Sequence, residues 1–329
     1  MQTKTVAGRT WHFSHPIGWL SVRGRGFWHP TSVATTSDGR IYVLNSGGRA
    51  GAPITVATID EDFVGEFGEG DFTWPEGLAI DQDGNIYCAD GFEHFVNVYS
   101  SEGEHLSKWG AHGTEEGLLN RPAGLAFDSD DNLWIVDSQN ARVQQFTKDG
   151  QFLTAWGEPG SEDGQFDRPW GITIDQSGDV YVADWGNDRV QKFSADGEFL
   201  MRFGSMFDDG GQLSRPSDVA VDSEGDVYVT DWGNDRVQIY YPDGDIIAGL
   251  YGDARRFSKW GQDFMDSNPD YVKAFQRVDP NELVTLGHFR RPGGVTIDEQ
   301  DRIVITDGIR CRLQVYFKDK DYLEPQFNL

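Results

Sequence analysis

Apolar and polar residues alternate along much of this chain in short runs. GITID (171–175) and VYVAD (180–184) are two such runs, rich in Val, Ile and Tyr, with QSGD (176–179) between them. RVQKFS (189–194) follows, then ADG (195–197), then EFLMRFG (198–204). A period of two over so few residues marks a half-buried strand, and Gly with Asp supplies the unusual torsions of a tight hairpin. The pattern predicts four short antiparallel strands within roughly 40 residues, the content of one propeller blade.

So small a sheet buries its faces only by stacking on others like it. The chain supplies them: ADWGNDRVQKF (183–193) returns as TDWGNDRVQIY (230–240). Copies begin at Pro30, Pro75, Pro122, Pro169, Pro216 and Pro292, and their second runs end at Asn45, Asp90, Asp137, Asp184, Asp231 and Asp307. Proline and run end are 15 residues apart in every copy. Successive prolines lie 45, 47, 47, 47 and 76 residues apart, so only the last interval carries an insertion. Six such units predict an all-β, six-bladed β-propeller with four-stranded antiparallel blades, a single domain over residues 1–329. Segment 9–20, containing WHFSHPIG, reads as the outer strand that closes the ring in blade six.

The pattern P-x-G-I-x-x-D…G-x-x-Y-V-x-D-x-x-N-x-R-V-Q-x-F…D-G-x-F-L resembles the NHL repeat. Copies three to five match it closely, two and six partly, and one loosely; together they span nearly all of residues 27–329. The resemblance implies an NHL-type propeller and leaves function open, because such propellers include both enzymes (the peptide-amidating lyases) and non-catalytic binding platforms.

Composition narrows the partners. The 329 residues carry a net charge of −26, which would repel a phosphate backbone or an anionic membrane, so nucleic acid and membrane are not expected as partners. Cys88 and Cys311 are the two cysteines. A disulfide framework is not expected, and with no apolar leader pattern at the start the reading is a cytoplasmic protein.

Strand direction puts the proline-led strand starts, the second-to-third loops and the links between blades on one face. The residues after the prolines edge the central channel there; Glu76, Trp170 and Asp218 stand out among Ala, Gly, Ser and Thr. Arg121, Arg168, Arg215 and Arg291 before the prolines, and Arg142, Arg189, Arg236 and Arg312 after the Asp, recur too often to mark one site. All eight read as loop braces paired with the repeat Asp residues.

Blades one, two and six depart from the rule. His29 and Trp74 replace the arginine before proline, GFEH (91–94) replaces the usual loop, NSGGRAGAP (45–53) is glycine-rich, and GIRC (308–311) ends in a cysteine. Either these outer blades drift because ring closure changes their packing, or they share a site. The site reading assigns catalysis to His94, Glu93, Glu76 and Arg310, and substrate contact to His29, Arg49, Trp74, Trp170 and Cys311. Glu76 and Asp218, on opposite blades, would supply oxygen ligands to one divalent metal, calcium or another hard cation. The zinc histidines that the amidating lyases place beside the prolines are absent here, so that activity does not carry over. No nucleotide or organic cofactor is expected.

Residues 253–289 hold the insertion. Phe257, Trp260, Phe264 and Met265 have helical spacing, as do Tyr271, Ala274, Phe275 and Val278, with NPD (268–270) between the sets. Two helices are predicted, as a lid over the channel mouth or a cover on the flank of blade six. Two functions fit: a lyase or hydrolase for a small polar ligand, possessing a metal-assisted site at the mouth, or a platform that binds a protein or ligand on the loop face.

Overall fold

The computed structural model describes residues 3–6, 8–46, 53–204, 211–275, 277 and 285–319. The described strands form a six-bladed propeller. Blades one to five are four-stranded antiparallel sheets, and blade six has five strands. The innermost strands are Pro30–Thr35, Pro75–Ile80, Pro122–Phe127, Ile172–Ile174, Pro216–Val221 and Pro292–Ile297.

The fixed 15-residue spacing has a direct cause. Pro75 and Asp90 are cross-strand partners, as are Pro122 and Asp137, Pro216 and Asp231, and Pro292 and Asp307. A lengthened hairpin would break that register and turn inward side chains out. Faces between blades are apolar: Tyr181, Val190 and Phe203 of blade four pack with Val219, Val227 and Tyr240 of blade five.

Blade six is closed by both ends of the chain. Arg9–Ile17 pairs antiparallel with Arg312–Lys318, and Thr3–Val6 adds a further strand outside it. Trp11 is 1% exposed, packs into the cluster between blades five and six, and donates its indole N–H to Tyr228 Oη at 2.9 Å. Lys318 Nζ lies 2.6 Å from Asp222 and 2.8 Å from Asp226, and Arg9 Nε lies 2.8 Å from Asp226. The two chain ends thus grip one hairpin of blade five.

The insertion forms helices Lys259–Ser267 (α1) and Pro269–Phe275 (α2). Ser258 caps α1 by accepting from Gly261 N, and Pro269 starts α2, where a missing N–H costs nothing. Trp260 is buried with Ile17, Phe27 and Val43 at the junction of blades six and one, and Glu61 accepts from Lys259 N and Trp260 N. None of the described helical residues lines the channel. α1 seats on that seam, where its Trp260 indole leaves water between two blades, instead of over the mouth. Val278 lies outside the described residues.

Candidate active site at the channel mouth

Each repeat Asp is the hub of its loop. Asp137 is fully buried and accepts from Asn120 N (2.6 Å), Asn140 Nδ2 (2.7 Å), Arg142 Nε (2.9 Å) and Gln144 Nε2 (3.0 Å). Arg189, Arg236 and Arg312 grip Asp184, Asp231 and Asp307 in the same way at 2.7–2.9 Å. These four arginines are the braces expected of them. In blade two Phe95 takes the arginine's place, and Asp90 collects four backbone amides, those of Thr73, Trp74, Phe92 and Glu93.

The arginines before the prolines do something else, and their reading as braces of the repeat Asp residues is corrected. Arg168 lies over Trp185 at 4.8 Å and pairs with its neighbour Asp167. Arg215 lies over Trp185 at 5.0 Å, and Arg291 over Trp232 at 4.5 Å. Arg121 sits between Trp74 (5.1 Å) and Trp170 (5.3 Å). Guanidinium and indole therefore alternate around much of the mouth, an arrangement that suits cation–π contact.

Inside that ring lies the channel, a cavity of about 430 Å³ with Glu76, Trp170, Ser217, Asp218 and Trp232 in its wall. Glu76 is 4% exposed, and Arg121 reaches its Oε1 through Nη2 at 3.1 Å and Nε at 3.3 Å. Burial outweighs the arginine and pushes the Glu76 carboxyl up to about 7. Asp218 accepts from Val295 N at 3.0 Å, and its enclosure in the wall also pushes it up to about 7. A side chain on Gly171 would strike Asp218 Oδ1, so glycine is required at that close approach. Both carboxylates line one cavity, but Glu76 already has a cation in Arg121.

His94 accepts at Nδ1 from Arg121 N (2.9 Å) and stacks on His112, with ring centroids 4.3 Å apart. Burial, then His112, lower its pKa. A neutral ring whose Nδ1 accepts carries its proton on Nε2, so His94 is a donor here and not a free base. Its position is that of Asp188 and Asp235, which accept from Arg215 N and Arg291 N at 2.7 Å. Cys311 holds the corresponding place against the His29 amide. Its buried thiol is pushed up, which makes it a poor nucleophile.

The expected residues therefore divide. Glu76, Trp74, Trp170 and His94 gather around Arg121. Glu93 is exposed at the rim and accepts from Thr73 Oγ1. His29 and Cys311 lie at the seam of blades one and six, and Arg310 borders a separate hollow that shares no residue with the channel. Arg49 lies outside the described residues. Sequence reasoning missed Arg121 because it treated the recurrent arginines as one class. Glu76, one repeat earlier and alone among its equivalents in being acidic and long, was the available signal.

The fold and site define a six-bladed β-propeller that carries NHL repeats, and the NHL repeat profile matches residues 119–146, 166–193 and 213–240. No curated protein matches the sequence. Among solved structures, the chain is similar to a catalytically inactive virginiamycin B lyase from Staphylococcus aureus with quinupristin (12% identity, 93% of this chain and 99% of that one, TM-score 0.60). It is also similar to a putative gluconolactonase (14% identity, 95% and 99%, TM-score 0.60). A third is an auxiliary nutrient binding protein from Bacteroides thetaiotaomicron (10% identity, 97% and 78%, TM-score 0.65). At such identities the likeness is one of fold. No helix among the described residues is long and apolar enough to cross a membrane.

Proposed function

We propose that the channel mouth is a small-molecule catalytic site of the lyase or hydrolase class, taking a ligand with an anionic group beside a flat ring. One observation carries this reading: a buried carboxyl poised near neutrality, Glu76, held by an arginine that lies between two indoles. Elimination and activation of water begin alike, with a carboxylate taking a proton, and a base with a pKa near the working pH does so best. Glu76 takes that proton. Arg121 pairs with the ionised form, and when Glu76 is protonated the guanidinium is free to bind the developing anion. His94 offers its Nε2 proton as a second donor, and Trp74 and Trp170 form the walls.

A divalent cation remains part of the reading only at Asp218, because Arg121 supplies the positive charge at Glu76. Metal held there is expected to survive dialysis in Glu76→Gln and to disappear in Asp218→Asn, as elemental analysis would read. The protein is read as working in the cytoplasm.

The test is a turnover screen beginning with quinupristin, the compound named with one of the propeller neighbours, and extending to lactones, aromatic esters and carboxylates. Glu76→Gln is expected to lower kcat about 10²–10⁴-fold, and Arg121→Gln to raise KM. Undiminished turnover in Glu76→Gln would overturn the assignment. The neighbour named as a nutrient binding protein supports a second reading, a non-catalytic platform. Saturable binding at the mouth with no turnover across the panel would favour it.

A further inference from the structure

Arg310 stands where blades three to five carry Asn140, Asn187 and Asn234. Each asparagine donates to its own blade's Asp at 2.7–2.8 Å. The longer guanidinium of Arg310 instead donates through Nη2 to the Thr285 carbonyl at 3.2 Å, and its Nε is buried without a hydrogen-bond partner. Leaving a buried cationic N–H unmet is costly, so such a group marks a place where a ligand acceptor belongs.

The side chain borders a hollow of about 250 Å³. Trp19, Phe257 and Leu286 give it apolar walls, and Arg255, Arg256 and Arg312 line it beside Arg310, with no carboxylate among the described lining residues. Arg312 is engaged by Asp307 and by the carbonyls of Ala254, Leu286, Gly287 and His288. Arg256 is exposed at the opening. Burial, with Arg312 and Arg290 close by, holds the Arg310 guanidinium below its ordinary range against the opposing pull of Asp307 and Asp235. Four arginines gathered at one hollow stand out in a chain of net charge −26.

We propose that this hollow is a second binding site, independent of the channel, for a small amphipathic carboxylate: its anion on Arg310 and Arg256, its ring or chain against Trp19 and Phe257. Anion and apolar body are both required, because the walls alone would not meet the buried Nε and the arginines alone would suit a hydrated ion.

Calorimetric titration of the full chain with benzoate tests it. A saturable component is expected that weakens at least tenfold in Arg310→Gln and persists in Arg121→Gln, the variant that loses the channel's own anion-binding guanidinium, which separates this site from the channel. Benzyl alcohol, the same ring without the charge, is expected to bind at least tenfold more weakly than benzoate. Should Arg310→Gln fail to fold, Arg256→Gln, altered at an exposed position, carries the same expectation of weakened binding. No saturable binding by the parent protein, or equal affinity in whichever of Arg310→Gln and Arg256→Gln folds, would overturn the proposal. Phenyl phosphate binding more tightly than benzoate would overturn the carboxylate assignment.

Discussion

His94 shows how one side chain answers two demands. Through Nδ1 it performs the inter-blade clasp that Asp188 and Asp235 perform elsewhere, and the neutral ring then carries its proton on Nε2. His94→Asp is therefore expected to keep the clasp and most of the stability, whereas His94→Ala leaves the Arg121 amide unmet and loses about 1–2 kcal/mol in urea unfolding. The raised carboxyls make a second prediction. Folded Asp218 and Glu76 hold protons up to about pH 7, whereas the unfolded chain releases them near their ordinary values of 3.8 and 4.5. Between those limits the folded state binds more protons, so stability falls as pH rises from about 4 toward 7. Asp218→Asn removes part of that slope: its urea midpoint is expected to drop less than the parent's between pH 5 and pH 8.

At the scale of elements, the strand Arg9–Ile17 carries the closure. Trp11→Ala would empty a core site between blades five and six and leave the Tyr228 hydroxyl with Asp222 as its one side-chain partner. It is expected to cost about 3–5 kcal/mol, read as a lowered urea midpoint. The blades were legible in the sequence because Pro and Asp sit opposite each other in the ladder, which makes their spacing rigid. The helices were legible from Ser258, Trp260 and Pro269, but their seat was not: periodicity tells which face of a helix is buried and nothing about what buries it. The candidate cluster was half legible for a related reason. Departures from a repeat show where the scaffold's rule is relaxed, and Glu76, Trp74 and His94 do converge, yet Arg310 and Cys311 departed toward other surroundings. Arg121 kept the rule in sequence while changing its partner in space.

For the whole molecule, the charge of −26 and the arginine-lined openings act over different distances. Repulsion of an anionic ligand by remote carboxylates reaches many ångströms and is screened first, whereas contact with Arg310 or Arg121 is screened last. Benzoate affinity is therefore expected to rise as salt is added up to about 0.1 M, where the Debye length is about 10 Å, and to decline beyond it. A steady fall from the lowest salt upward, measured by the same calorimetry, would show that the arginines govern at every distance.

The sharing of blade six between the two chain ends has a consequence for how the protein is made. Arg9–Ile17 is translated ahead of all six innermost strands, and its partner Arg312–Lys318 emerges only after five blades' worth of chain has been translated. Until then an aromatic, β-prone segment must wait without its sheet, while blade one has a neighbour on one side only. Nascent chains are thus exposed to mispairing while the intervening blades are made, and the meeting of Arg9–Ile17 with Arg312–Lys318, not completion of any single blade, is the moment at which the fold becomes cooperative.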